Sequence, residues 1–367
     1  MAWERRRSRA VKVRGVTIGG GAPVVVQGMT KTDTRDVKAT VAQMVRMAEA
    51  GCELIRVAVP DRRAAEALRE IVPQSPVPVV ADIHFNYSLA LMALEAGVDK
   101  LRLNPGNIGE PERVRQVVRE AKARGVPIRI GVNAGSLEKP LLEKYGYPTA
   151  EAMVESARSH LRILEDLDFF DTVVSLKASD VVLMLTAYRM LATQVDYPLH
   201  LGVTEAGTPW TGTIRSAVGI GTLLAEGIGD TIRVSLSGEP EEEARVAREI
   251  LSCLDLRVFG PKVISCPTCG RCQVDVISMA EAVERRTRHL TAPLRISVMG
   301  CAVNGPGECR GSDLGMAGGK AGGLLYRHGE VVRQVADTEM VEALVAEAEA
   351  QDRAWAQRQA DGEPERR

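Results

Sequence analysis

Near the C-terminal end of the chain, five cysteines and one glutamate crowd into two short stretches. CPTCGRC carries Cys266, Cys269 and Cys272, and MGCAVNGPGEC carries Cys301, Glu308 and Cys309. Two thiols on a tight turn plus a distant third form a pincer for a soft metal centre. A loop rich in glycine and proline then brings a carboxylate beside them. This donor set suits an iron–sulfur cluster with one weakly held iron, and so electron transfer. Spacing alone leaves other occupants open, because a CxxC pair also holds zinc or forms a redox disulfide. Cys301 and Cys309 are too far apart for a second zinc knuckle, whereas CxxCxxC with a distant cysteine resembles ferredoxin ligation. The balance favours a cluster. Cys52 and Cys253 stand alone in apolar surroundings and are expected to be buried fillers.

A second group of chemistry-bearing residues lies upstream. Short β-branched runs are interrupted by Arg56, Arg102, Arg129 and Arg233, and SLKAS places Lys177 at the end of another. An unpaired buried guanidinium is costly. Several together at strand ends suggest a receptor for a multiply charged anion, since guanidinium forks match phosphate geometry. The alternative is a buried network in which Asp82, Glu205 or another acid neutralises each one. Lys177 could form a Schiff base or add positive charge; with four arginines nearby, charge is the more economical role. His84 and His200 end strand runs and could face the same pocket. NPGN at 104–107 and GVNAGS at 131–136 could turn backbone N–H groups toward an anion. AGGKAGG lacks the spacing of a phosphate loop and is expected to turn tightly.

The elements that must position these groups repeat one pattern. PVVVQGM, ELIRVAV, PVVADIH, KLRLNPG, PIRIGVNAG, DTVVSLKAS, PLHLGVTEAG and TIRVSLSG read as strands, separated by segments with helical apolar spacing. Gly51, Gly97, Gly125 and Gly227 fall where helices should end. Eight such units predict a TIM (β/α)8 barrel, with chemistry at the C-terminal ends of its strands. A doubly wound open sheet is the rival, but no dinucleotide fingerprint follows the first strand. Around residue 256 the pattern stops. A helix, a strand, a glycine-rich loop, a hairpin and a last helix predict a smaller α+β domain. The expected division is a barrel over residues 1–256, a cluster domain over 257–350 and a disordered, charged tail over 351–367.

The 367 residues carry a formal net charge of −1 and are 45% hydrophobic, which permits a full core. No global charge bias points to nucleic acid or to an anionic membrane. No apolar run approaches the roughly 18 residues needed to span a bilayer. The basic N-terminus lacks the apolar stretch of a secretory signal. A cytoplasmic protein with reduced thiols is expected, in which clustered cysteines serve metal rather than disulfides.

VQGMTKTDTRD, GCELIRVAVP, PVVADIHFNYSLA, LRLNPGNIG, IRIGVNAGSLE, SCPTCGRC and VMGCAVNGPGE together resemble the bacterial 4-hydroxy-3-methylbut-2-enyl diphosphate synthases, from about Val24 to beyond Gly323. The last motif is the most specific. The resemblance implies reductive ring opening and dehydration of 2-C-methyl-D-erythritol 2,4-cyclodiphosphate, in the non-mevalonate route to isoprenoids. It implies a [4Fe–4S] cluster held by Cys266, Cys269, Cys301 and Glu308, the carboxylate being the exchangeable ligand. Around the diphosphate it places Arg56, Arg102, Arg129, Lys177 and Arg233, with Asp82, Asn133 and Ser235 as polar neighbours. Glu205 is implied as the acid near the substrate hydroxyl, and Asn304 as a neighbour of the cluster. Reduced flavodoxin or ferredoxin as electron donor and a head-to-tail homodimer are implied as well. Cys272 and Cys309 depart from the family pattern and could compete for the metal. A non-redox barrel lyase using Lys177, with a structural zinc module, is the alternative activity.

Overall fold

The computed structural model describes residues 4–361, which fall into two compact units meeting in sequence at Arg257 and Val258.

In the first unit, β1 (Ala10–Val13) and β2 (Val16–Gly19) form an antiparallel hairpin. Eight parallel strands follow: β3 (Val25–Met29), β4 (Leu54–Ala58), β5 (Val79–Asp82), β6 (Lys100–Arg102), β7 (Ile128–Asn133), β8 (Thr172–Lys177), β9 (His200–Leu201) and β10 (Thr231–Ile232). Their order is β8-β7-β6-β5-β4-β3-β10-β9, and a parallel bridge between Val174 and Leu199 joins the two ends. The barrel is therefore closed. All eight strand runs read from the sequence are present.

Side chains alternate across a strand, so the register decides what fills the barrel. Val25, Leu54, Val80 and Val173 form its lowest inward layer, and Val11, Val13 and Ile18 of the hairpin pack against them. The hairpin is thus an apolar plug, each fully buried aliphatic side chain contributing about 1.5–3 kcal/mol. Above the plug the inward positions become polar. Outside, helices are stopped where the sequence suggested: Gly51, Gly97, Gly125 and Gly227 all have positive φ.

In the second unit, β11 (Lys262–Ser265), β12 (Arg295–Met299), β13 (Leu314–Gly319), β14 (Gly322–Arg327) and β15 (Glu330–Val335) make one sheet in that order. The first three strands are parallel and the last two pairings antiparallel. AGGKAGG is the two-residue turn between β13 and β14 with its flanks. Helices Val276–Thr287 and Met340–Ala360 bury Val283, Leu344 and Ala348 in a core with Ile296, Val298 and Met316.

The disordered tail expected from residue 351 is corrected as far as Ala360, where the last helix ends. Its contacts explain the order. Trp355 packs against the core, and the Asp352 carboxylate accepts from the Thr291 and Ala292 N–H groups at 2.7 Å each. Residues 362–367 lie outside the described residues. Cys253 corrects a second expectation. It sits exposed at the end of helix Pro240–Cys253, whereas Cys52 is buried with its thiol pushed up to about 12 by burial.

Candidate active site

Within the barrel, the strand register sets Asp82, Arg102 and Arg129 side by side on β5, β6 and β7. Asp82 Oδ1 accepts from Arg102 Nη1 at 3.2 Å, and Oδ2 lies 3.8 Å from Arg56 Nε and 3.5 Å from His84 Nε2. Burial works against this carboxylate, but Arg56, His84 and Arg102 outweigh it and hold its pKa well below the usual range. Arg102 also donates to the Gly131 carbonyl at 2.9 Å. Asn104, from NPGN, brackets that same glycine, accepting from its N–H at 2.8 Å and donating to its carbonyl at 3.2 Å. A Cβ at Gly131 would overlap the Arg102 guanidinium, so the residue type is dictated by the arginine beside it.

Arg233 finds a different acid. Its Nη2 lies 3.5 Å from Glu243 Oε2, while Glu243 Oε1 is 3.2 Å from Lys31 Nζ and accepts from the Leu236 N–H. Burial, then Arg56, lowers Arg233 to about 10. The neutralised network weighed as an alternative therefore holds for Arg56, Arg102 and Arg233, through Asp82 and Glu243. Glu205 plays no such part. It is exposed on the loop after β9, with φ 52°.

The network does not extend to Arg129. This side chain is 1% exposed, and none of its three guanidinium nitrogens has a protein partner. Lys177 Nζ, Lys100 Nζ and His200 Nε2 are likewise buried without partners. Burial, then neighbouring cations, drives the pKa of Lys100, Lys177 and His200 well down. Six basic side chains (Arg56, Lys100, Arg102, Arg129, Lys177 and Arg233) thus stand against two carboxylates, Asp82 and Glu243. Groups that cost several kcal/mol to bury persist where something supplies the missing partner. Toward the C-terminal strand ends, Asn133 stands in register with Lys177, and Ser235 lies half-buried just past β10.

In the second unit, Cys266 directly follows β11 and Cys301 lies two residues past the end of the adjacent parallel strand β12. Cys269 is exposed on the turn closed by the Cys272 N–H donating to the Cys269 carbonyl at 2.9 Å. The short helix Gly305–Arg310 carries Glu308 and Cys309 on different faces. Glu308 is exposed, while Cys309 is 0% exposed and packs against Gly315. Burial pushes the Cys309 thiol up to about 12. The Cys272 thiol donates to the Val274 carbonyl at 3.1 Å and packs on Gly300. The two extra cysteines therefore have other occupations. Backbone N–H groups of Val303 and Asn304 aim at the Cys301 sulfur and lower its pKa, as suits a thiolate. Three thiols and an exposed carboxylate at one end of a sheet fit a cluster with one replaceable ligand. Among the described residues, no three His, Cys, Asp or Glu side chains already converge as a metal site.

A family model described as the GcpE TIM-barrel domain matches residues 8–248, and one described as the GcpE protein C-terminal domain matches residues 262–350. The chain belongs to the GcpE family. Its curated relatives include proteins of Geobacter sulfurreducens, 59% identical over 94% of this chain and 98% of the relative, and Symbiobacterium thermophilum, 61% identical over 93% and 92%. Both are named 4-hydroxy-3-methylbut-2-en-1-yl diphosphate synthase (flavodoxin). Among solved structures, a dihydropteroate synthase from Stenotrophomonas maltophilia aligns with TM-score 0.51 at 17% identity, over 68% of this chain and 97% of that one. That likeness speaks for the barrel fold alone.

In this GcpE barrel the sequence reading missed Lys31, Lys100 and Glu243. Lys100 carried a usable signal. It stands two residues before Arg102, so strand alternation turns both inward. Glu243 carried none, because the run PEEEARVARE reads as an exposed helix start. His160 is a buried, partnered core histidine: it accepts from the Gly106 N–H at 3.1 Å and pairs with Glu138 at 2.8 Å, steadying the NPGN turn.

Proposed function

We propose that this GcpE chain catalyses reductive ring opening and dehydration of 2-C-methyl-D-erythritol 2,4-cyclodiphosphate to 4-hydroxy-3-methylbut-2-enyl diphosphate in non-mevalonate isoprenoid synthesis. The observation that carries the proposal is Arg129, a buried guanidinium without a partner beside an equally unpaired Lys177. A cyclic diphosphate carries about two negative charges and supplies the acceptors these groups lack. The names of the relatives support the same chemistry and flavodoxin as the donor; ferredoxin is the other donor considered.

Cys266, Cys269, Cys301 and Glu308 are the residues that would hold a [4Fe–4S] cluster, which when bound supplies single electrons and an iron whose carboxylate ligand exchanges readily. Everything else falls to side chains. Arg56 and Arg102 are held in place by Asp82, Arg233 by Glu243, so their guanidiniums meet the diphosphate already oriented. Arg129 and Lys177 have no such ties and gain their first hydrogen-bond partners from the ligand. Asn133 and Ser235 add polar contacts at the strand ends. Glu205, on its exposed loop, donates the proton that lets the substrate hydroxyl leave as water; Asn304 stands with the cluster ligands of the second unit. Two electrons enter and one water leaves in each turnover.

The same reading makes the protein a cytoplasmic homodimer. Exposed Phe85, Val182 and Trp210 at the C-terminal end of the barrel support a cover over that rim. No helix among the described residues is long and apolar enough to cross a membrane.

The test is anaerobic purification followed by turnover of the cyclodiphosphate with reduced flavodoxin. Iron, sulfide and product formation are expected. Colourless protein with stoichiometric zinc and no product would sink the proposal in favour of the barrel lyase. Glu308→Ala is expected to keep most of the iron and lose most of the turnover.

A further inference from the structure

Lys100 is the most enclosed cation in the barrel, and no step above uses it. It opens β6, two residues below Arg102 on the same inward face. Its side chain is 0% exposed and its ammonium nitrogen has no hydrogen-bond partner. Charged neighbours face it from several strands: Arg56 on β4, Arg129 on β7 and, near both, His200 on β9. Asp82 on β5 and Arg102 on its own strand pair with each other, and Lys177 on β8 is close to the same arginines. Among the described residues, no acid hydrogen-bonds to its ammonium nitrogen.

In such a group of cations, something must yield. Arginine keeps its proton under all protein conditions, so Arg56, Arg102, Arg129 and Arg233 stay charged. A lysine amine can give its proton up when buried beside like charges. His200 relieves the strain equally well as a neutral ring, and its Nδ1 lies 3.4 Å from Thr231 Oγ1.

We infer that Lys100 is neutral in the empty barrel and takes up a proton from solvent when a diphosphate binds above it, so that substrate binding and protonation of this buried amine are one coupled event. The inference rests on the anion site proposed above. A diphosphate brings about two negative charges to Arg129 and Lys177, and Arg129 is, with Arg56, one of the two cations that act on Lys100. Their repulsion of an ammonium below then falls. The amine is the reservoir that adjusts the charge of the floor to the charge of the ligand. Each phosphorus of the cyclic substrate carries one ester link, one anhydride link and a single strongly acidic oxygen, ionised near neutrality, so a proton gained on binding is gained by the protein.

The test is titration calorimetry of the anaerobic, cluster-loaded protein with the cyclodiphosphate, without reductant, at pH 8 in buffers of different ionisation enthalpy. Wild type is expected to take up protons on binding. Lys100→Met should still bind, with uptake smaller by about one proton and with a weaker pH dependence of affinity. Each coupled proton changes the apparent Kd about tenfold per pH unit, so the slope should differ by about one between the two proteins. Lys100→Gln guards against an effect peculiar to one side chain, and His200→Gln should retain the uptake. Binding with no uptake, or with equal uptake in wild type and both Lys100 variants, overturns the inference and leaves the anion site standing. Loss of the uptake in His200→Gln alone also overturns it. Absence of binding by wild type overturns both.

Discussion

The barrel floor and the cysteine corner are built by opposite strategies. In the barrel, charged side chains are buried at the moment the strands close, and their positions follow from register. In the corner, Cys269 and Glu308, two of the proposed donors, are exposed. One site stores the cost of its ligand in the fold. The other leaves assembly to the metal, whose binding free energy then doubles as local folding energy. The contrast predicts that losing the barrel's ligand leaves the structure unchanged, whereas losing the metal loosens the second unit around Cys266–Cys272.

The largest effect should come from breaking the corner. Cys269→Ser or Cys301→Ser is expected to lose iron and sulfide and to lower turnover by roughly a thousandfold or more, about 4 kcal/mol in the barrier. Cys272→Ser and Cys309→Ala should keep both elements, because their sulfurs are engaged elsewhere. Metal analysis and EPR check this directly. If Cys272→Ser empties the protein while Cys269→Ser does not, the ligand assignment is wrong.

Next in size is Asp82→Asn. It removes the acid that Arg56 and Arg102 share, leaving two largely buried guanidiniums without that counter-charge. Breaking a buried pair from one side costs about 3–5 kcal/mol, so a large fall in Tm is expected. Arg129→Met sharpens the comparison by moving two quantities in opposite directions. Affinity for the diphosphate should fall by roughly 30- to 150-fold, about 2–3 kcal/mol for charge-assisted hydrogen bonds. Stability should rise, because the removed guanidinium had no partner to lose. A drop in both would mean that Arg129 is structural.

What could be read in advance follows the same division. Strand alternation and β-branched runs carry the barrel, because every strand repeats one physical demand, and Arg56, Arg102, Arg129 and Arg233 stand out within it. Their partners do not. Glu243 reaches Arg233 from a helix far along the chain, and nothing in PEEEARVARE marks one glutamate as buried. The hairpin β1–β2 was missed because four-residue strands around RG look like a loop until a barrel needs a floor. In the corner, spacing brought out the cysteines and Glu308 as candidates but not their directions. Whether Cys309 or Glu308 faces outward depends on which side of a six-residue helix meets β13, a tertiary fact. The tail misled because a helix rich in Ala, Gln and Arg reads as solvated until Trp355 and Asp352 find their places.

A smaller effect tests the floor itself. Lys100 titrates well below its ordinary 10.5, because burial, then Arg129 and Arg56, disfavour its charge. The unfolded chain therefore binds more protons than the folded one between the depressed value and about 10.4, and in that window stability rises with pH. Thermal melts of the protein without ligand should show this rise from neutral pH upward. Lys100→Met should flatten it and gain about 1–3 kcal/mol at pH 7, the cost of an unsatisfied buried polar group. A melt as steep in the variant as in wild type would place the titration elsewhere, with Lys177, lowered by burial and then by Arg233, as the remaining lysine.

The smallest effect separates the two thiols that sequence alone could not. Cys309 fills a space bounded by Gly315, Met299, Ala317 and Tyr326, and a Cβ on Gly315 would overlap both its sulfur and its Cβ. Trimming it to alanine removes one buried sulfur and leaves a cavity smaller than a methylene pair, so a loss of about 1 kcal/mol is expected. Gly315→Ala should cost more than Cys309→Ala alone, and the double variant should recover only the part of that cost that the sulfur imposes, since the new methyl still meets the Cβ of residue 309. Recovery is a signature that a metal ligand could not give, because restoring packing does not restore a donor. If the double variant regains no stability, the tight fit between helix and strand is not what keeps Cys309 turned away from the metal corner, and its sulfur is free to compete with Glu308.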